Sequence, residues 1–341
     1  MGARVGWSGK LLSYDAGFGF HLSSHAFTLK PMRTAILIHG PTASGKTALA
    51  IAVANRLDGE IVNADSMQVY SDLETLTARP SAEELAQAPH HLFGHVDAAS
   101  HYSTGHWLKD VASVIADIHG RGKVPIIAGG TGLYLLALTQ GLSEIPPIPE
   151  GMRAEARAIG QEEGGAGLKA RLEKVDPESA ARLKTGDRQR LARAYEVWLA
   201  TGKPMSSFKD QRSKPILGEE EWLGVALTPP RARLYARIDR RFQAMLVEGA
   251  MDEARALAAR NLDPGLPVMK AHGMPWLAAY IRGEIKSEVA AQHASRDTRR
   301  YAKRQFTWIG RQFPFWPRIP SEELEKRAKV IFALYRELDG G

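Results

Sequence analysis

A short apolar run, TAILIH (34–39), leads through GPTASGKT (40–47) straight into KTALAIAVANRL (46–57). The octapeptide meets the pattern G-x-x-x-x-G-K-[ST] at every fixed position: Gly40, Gly45, Lys46 and Thr47. The apolar run suits a buried strand, and Leu49, Ala50, Val53, Ala54 and Leu57 recur at helical spacing. Strand, Gly-rich turn and helix N-terminus together aim orphan N–H groups and a helix dipole at an anion. A Gly-rich turn without a ligand is the competing reading. The cradle expected for a polyphosphate is Gly40, Pro41, Thr42, Ala43, Ser44, Gly45, Lys46 and Thr47. In it the N–H groups from Ala43 to Thr47 turn inward, Lys46 adds a point charge, and the Thr47 hydroxyl suits Mg²⁺.

Such a strand needs parallel partners, and the chain offers them. EIVNADSMQVY (60–70) reads as a second strand at Ile61 and Val62, with Asp65 and Ser66 at its C-terminal end, where ligands gather in an open α/β sheet. VPIIAGG (124–130) reads as a third, entering the turn GGTGLY and an apolar helix that runs to about Thr139. After the Pro-rich boundary GLSEIPPIPEG (141–151) the pattern is helical and polar to about residue 217. WLGVALTPP (222–230) then reads as a strand returning to the sheet, and long amphipathic helices follow from about Arg231 to Gly310. The expected fold is α/β: a P-loop NTPase-like parallel sheet wound with helices, built from 32–143 and 218–320, with a helical insertion domain at 144–217. Residues 1–31 contain five Gly, show no clear periodicity and lack the apolar core of a signal peptide. They are expected to be disordered, or a mis-called extension ahead of a start at Met32.

With no Cys the chain has no disulfide, no thiolate metal site and no Cys nucleophile, and no apolar run approaches the length of a membrane span. A cytoplasmic address is allowed. The net charge of +7 leans toward a polyanion, so the position of the charge matters. In ASRDTRRYAKRQFTW (294–308), Arg296, Arg299, Arg300, Lys303 and Arg304 recur every three or four residues beside Tyr301, Phe306 and Trp308. Only Asp297 offers a local acid. A basic stripe interleaved with aromatics suits a nucleic-acid backbone and unstacked bases; a solvated charged face is the plain alternative. DRQR (187–190) adds a second basic group. His90, His91, His95, His101 and His106 crowd one segment, yet their spacing fits no tight zinc pattern, and structural or surface roles are expected.

GPTASGKT, DSMQVY (65–70), GGTGLY (129–134), DRQRLARAYEV (187–197), RIDRRFQAML (237–246) and TRRYAKRQFTW (298–308) stand in the order and spacing of one family. From about residue 33 to 315 the chain resembles the bacterial tRNA dimethylallyltransferases, or tRNA isopentenyltransferases. The resemblance implies transfer of a dimethylallyl group from dimethylallyl diphosphate to N6 of adenine 37, in tRNAs reading codons that begin with U. The loop would then hold the donor's diphosphate, with Thr47 on Mg²⁺ and Arg241 clamping the diphosphate from another element. Asp65 would be the general base, and Thr131 would contact the target nucleotide. The tRNA anticodon stem-loop would meet Asp65, Ser66, Met67, Gln68, Thr131, Arg153, Asp187, Arg188, Gln189, Arg190, Leu191, Lys270, His272, Lys303, Arg304, Gln305 and Trp308. The chain departs from the family pattern at SDLETLTARP (71–80), which lacks the usual glycines, at AHGMP (271–275) and at WIGRQ (308–312).

Three rivals remain at this level. An ATP-dependent small-molecule kinase would use the same loop but leaves the basic-aromatic helix unexplained. An enzyme prenylating free adenine nucleotides would need no extensive RNA surface. A non-catalytic tRNA-binding protein would have no use for the loop, Asp65 and Arg241. A monomer is expected, because the basic surface must stay free for RNA.

Overall fold

The computed structural model describes residues 34–339; the expectations for 1–31 and for a start at Met32 lie outside the described residues. The chain begins with β1 (Ala35–His39), the phosphate loop and α1 (Lys46–Leu57), then β2 (Gly59–Asn63), a short α2 (Ala82–Leu85), β3 (His90–His91), α3 (Thr104–Gly120), β4 (Val124–Gly129) and α4 (Gly132–Gln140). Four helices follow: α5 (Glu150–Glu162), α6 (Gly164–Val175), α7 (Pro177–Arg182) and α8 (Arg188–Thr201). The chain then returns through β5 (Trp222–Leu227) to α9 (Arg231–Val247), α10 (Ala250–Ala259), α11 (Met274–Ile281), α12 (Ser287–Gln312), β6 (Arg318–Ile319) and α13 (Leu324–Asp339).

The strands form one sheet in the order β3-β2-β4-β1-β5-β6, every pair parallel. Central β1 is paired on both sides, with Ile36 opposite Ile126 and Leu223. Its five residues are all buried, as expected for a parallel strand covered on both faces. Alternation along the strand splits them between two cores. Ile36 and Ile38 pack with Leu49 and Val53 of α1 and Ile331 and Tyr335 of α13. Ala35 and Leu37 face Trp107, Val111, Leu135 and Leu138 of α3 and α4. A third cluster joins Val69, Tyr70, Leu73 and Leu76 to α9, α10 and α11.

The expected strands are present, and WLGVALTPP does return beside β1. Two-residue β3 and β6 were absent from the sequence reading because neither makes a periodic run. Helix α13 lies beyond the residues that carry the family resemblance, yet its Ala328, Ile331 and Tyr335 cover one face of the sheet. Helices α5–α8 enclose a core of their own around Ala156, Leu168, Leu172, Leu191 and Ala194. Leu191 is therefore a correction to the expected RNA contacts: it is fully buried in this core, whereas Arg188, Gln189 and Arg190 are exposed. No described helix is long and apolar enough to cross a membrane.

Candidate active site

Because the sheet is parallel, β1, β2 and β4 deliver three loops to the same edge, with His39 opposite Gly129 and Asn63 opposite Ala128. Lys46 and Thr47 occupy the first turn of α1, where helical geometry supplies no acceptor for their N–H groups. Two other loop donors are already engaged. The Ser44 N–H donates to the Pro41 carbonyl at 3.2 Å and the Thr42 N–H to Gln305 Oε1 at 2.9 Å. The expected inward row from Ala43 to Thr47 is thus broken at Ser44, whose short turn shapes the loop.

Lys46 Nζ lies folded over the loop and donates to the Gly40 and Pro41 carbonyls, each at 3.0 Å. Burial pulls its pKa down to about 8, with Asp65 opposing and Arg241 adding to the shift. From α9, Arg241 Nη2 donates to Thr42 Oγ1 at 2.5 Å, so the arginine expected from a distant element does reach the loop. Its guanidinium is lowered from the ordinary value by burial, against the pull of Asp65.

Asp65 is held by its neighbour at the strand end. Asn63 Oδ1 accepts the Asp65 N–H at 2.8 Å, while Asn63 Nδ2 donates to the Asp65 carbonyl at 3.0 Å. Asp65 Oδ1 in turn accepts the Met67 N–H at 3.0 Å. That bond caps the turn with one carboxylate oxygen, and Asp65 also lines a pocket with Thr42, Met67, Leu76, Thr77, Ile238, Arg241, Phe242, Met245, His272, Thr298 and Tyr301. Thr131 Oγ1 accepts the Ser66 N–H at 2.9 Å and so ties the glycine turn to the Asp65 loop. Burial and the Asp65 charge raise the Tyr301 phenol, which stays a neutral donor. The His272 ring sits 4.3 Å from Tyr301, and burial together with Arg304 lowers its pKa, leaving a neutral imidazole at pH 7.

Helix α12 splits by environment. Arg299 pairs with Asp239 of α9, and Arg296 and Arg300 lie within 3.8 Å and 3.3 Å of Asp297. Asp297 is therefore not the stripe's only acid; Asp239, sixty residues away, is a second. Lys303 and Arg304 are exposed, and Arg304 lies 5.5 Å over the Tyr301 ring. Gln305, expected to touch RNA, is 3% exposed and bridges the two loops: its Oε1 receives the Thr42 N–H and its Nε2 donates to the Gly130 carbonyl at 2.9 Å. Trp308 packs on the same turn so closely that a Cβ on Gly132 would stand 2.1 Å from its Nε1. Gln68 is also spent, donating to the Thr77 and Ala78 carbonyls at 3.0 and 2.7 Å. Lys270 is exposed and donates to the Gly265 carbonyl; Asp187 caps α8; Arg153 sits on α5 within 3.8 Å of Glu150.

Sequence reasoning missed Asn63, recognisable only as an Asn two residues before the key Asp. It also missed Arg327 of α13, whose Nη1 donates to the Ser44 carbonyl at 2.7 Å from behind the loop. Of the five crowded histidines, His90 bonds the Ala88 carbonyl, His91 meets Glu60, His95 meets Tyr102 and His106 caps α3. Among the described residues there is no group of three or more acidic or histidine side chains placed to hold a metal.

Replacing Gln305 by Ala removes both bridging bonds at once. A loss of about 1–3 kcal/mol in stability is expected from the buried groups left unpaired, read as a lower denaturant midpoint. Donor KM should rise as the phosphate loop loosens. Unchanged values for both would show that the loops hold each other without it.

A phosphate loop on a parallel sheet, opening into a pocket with one carboxylate, one half-buried arginine and apolar side chains, defines a P-loop-fold protein equipped to handle a phosphorylated apolar molecule. The chain matches the family described as IPP transferase over residues 68–312 and that described as isopentenyl transferase over 33–92. It is 66% identical to the tRNA dimethylallyltransferase of Hyphomonas neptunium over 90% of this chain and 98% of that one. It is 54% identical to that of Phenylobacterium zucineum, over 87% and 96%. Among solved structures, the tRNA isopentenylpyrophosphate transferase of Bacillus halodurans superposes with a TM-score of 0.64 at 31% identity, over 90% of this chain and 98% of that one. A eukaryotic dimethylallyltransferase described as acting on tRNA gives a TM-score of 0.74 at 28% identity, over 89% and 80%. The chain belongs to the tRNA dimethylallyltransferase family.

Proposed function

We propose that the protein transfers a dimethylallyl group from dimethylallyl diphosphate to N6 of adenine 37, in tRNAs that read codons beginning with U. The observation that carries this reading is one pocket lined both by Thr42 of the phosphate loop, Asp65 and Arg241 and by Met67, Leu76, Phe242 and Met245. A kinase needs the first set and has no evident use for the second.

N6 attacks C1 of the donor, the C1–O bond breaks, diphosphate leaves with the bonding pair, and one N6 proton passes to the Asp65 carboxylate. An adenine amine is a weak nucleophile that gains positive charge on attack, so a placed carboxylate favours the transition state. Lys46, Arg241 and the α1 N-terminus would neutralise the charge growing on the leaving group. Mg²⁺ suits this loop: Thr47 offers one hard oxygen, and such ions commonly take one or two protein ligands with the rest from phosphate and water. Bound there, the ion would add positive charge against the diphosphate.

Adenine 37 must leave its stack to reach the pocket, at a cost of about a few kcal/mol. Arg188, Arg190, Lys270, Lys303 and Arg304 are exposed and available for the phosphates of the anticodon stem-loop. The reading includes a monomer acting in the cytoplasm.

Nucleoside mass analysis tests it. Unmodified tRNA incubated with protein, Mg²⁺ and dimethylallyl diphosphate is expected to yield N6-dimethylallyl-adenosine without ATP. No product, with ATP consumed by a small acceptor in a parallel reaction, would return the chain to the kinase reading.

A further inference from the structure

Leu76 and Phe242 are among the apolar residues that line the pocket. The pocket as a whole, with Thr42, Asp65 and Arg241 in its lining, has a free volume of about 60 Å³. A second isoprene unit doubles the apolar volume to be housed, so a pocket this small would have to widen to take it.

The wall has little freedom to retreat. Leu76 and Phe242 are 6% and 4% exposed, and both belong to the cluster that packs α9, α10 and α11. Gly273, at φ 100°, lies against them: a Cβ there would come within 3.0 Å of both Leu76 Cδ1 and Phe242 Cε2. On its other side the Leu76 backbone is anchored from α10. The Glu253 carboxylate accepts the N–H groups of Glu74, Thr75 and Leu76 at 3.2, 2.6 and 2.9 Å. This anchor lies in the segment 71–80, whose turn is held by a side chain from another helix.

We propose that Leu76 and Phe242 set the chain length of the allylic diphosphate donor, stopping it at five carbons, and that Glu253 is the positioning residue that keeps Leu76 in place. The inference rests on the donor reading above. The chemistry is unchanged by chain length: the N6–C1 bond forms, the C1–O bond breaks, diphosphate leaves and Asp65 takes the proton. Discrimination arises because the second isoprene unit would overlap a packed wall.

The experiment compares kcat/KM for dimethylallyl and geranyl diphosphate on the same tRNA, in the wild type and in Phe242→Leu, Phe242→Ala, Leu76→Ala and Glu253→Gln. Circular dichroism melts establish that each variant is folded. The wild type is expected to prefer the five-carbon donor by about a hundredfold or more, since even single methylenes give roughly 10–200-fold. Leu76→Ala and Phe242→Ala should shrink that ratio tenfold or more, chiefly through the KM of the longer donor. Phe242→Leu, which keeps most of the core filled, should move it the same way by less. Glu253→Gln, touching neither donor, should also lower the ratio while leaving dimethylallyl turnover nearly intact. Ratios within twofold of wild type in the folded Leu76 and Phe242 variants would overturn the proposal, as would a wild type that uses both donors equally. A wild type inactive with both donors would overturn the donor reading itself and this inference with it.

Discussion

Asp65→Asn is expected to lower kcat by about 10²–10⁴-fold while leaving tRNA and donor affinity close to wild type. Asn is the informative replacement because it preserves what the turn needs. Its Oδ1 can still accept the Met67 N–H now received by Asp65, and the two Asn63 bonds fall on backbone atoms of residue 65. Proton acceptance is removed, together with the negative charge that also acts on Lys46 and Arg241. Single-turnover rates with saturating tRNA and donor measure the chemical step, and filter binding measures affinity. A kcat within about threefold of wild type would show that the N6 proton leaves by another route. Loss of tRNA affinity with chemistry intact would make Asp65 a contact residue alone.

The second large effect is expected at Lys46. Lys46→Met should cost about 10²–10³-fold in kcat/KM, the range seen when one donor to a developing anion is lost. The pH dependence gives a sharper signature. In the donor-free protein burial pulls Lys46 down to about 8. Diphosphate supplies negative charge and raises that pKa, so binding takes up a proton wherever the free Lys46 is neutral. Affinity therefore holds below about pH 8 and falls above it, by up to about tenfold per pH unit until the bound-state pKa is reached. Titration calorimetry with inorganic diphosphate, in buffers of unlike ionisation enthalpy, measures the proton uptake directly. Lys46→Met should bind weakly at every pH and lack this alkaline limb. A limb that survives the substitution would assign the titration to another group.

Both expectations rest on residues legible before any coordinates, and the reason is local. Gly45 and Lys46 declare a strand–turn–helix geometry within eight residues, and parallel strands covered on both faces show as unbroken apolar runs such as AILIH. The Asp65 loop was legible because it follows such a run. What escaped depends on contacts between distant segments. The Gln305 bridge joins Thr42 to Gly130, Arg299 finds Asp239, and Glu253 anchors the turn at Thr75. Nothing in the local pattern distinguishes a glutamine that crosses two loops from one that faces RNA. Leu191 follows three exposed polar residues, and only the packing of α6 and α8 puts its side chain inside.

The sequence by itself determined the phosphate loop, the parallel α/β class and the family, because those depend on short-range backbone geometry and on motifs kept in order along the chain. Tertiary structure alone decided which side chains are free to act. It brought Arg241 onto Thr42, spent Gln305 and Gln68 on backbone carbonyls, and closed the apolar pocket with Leu76 and Phe242. Availability and shape are properties of packed neighbours from remote parts of the chain, and burial is settled only when those neighbours meet.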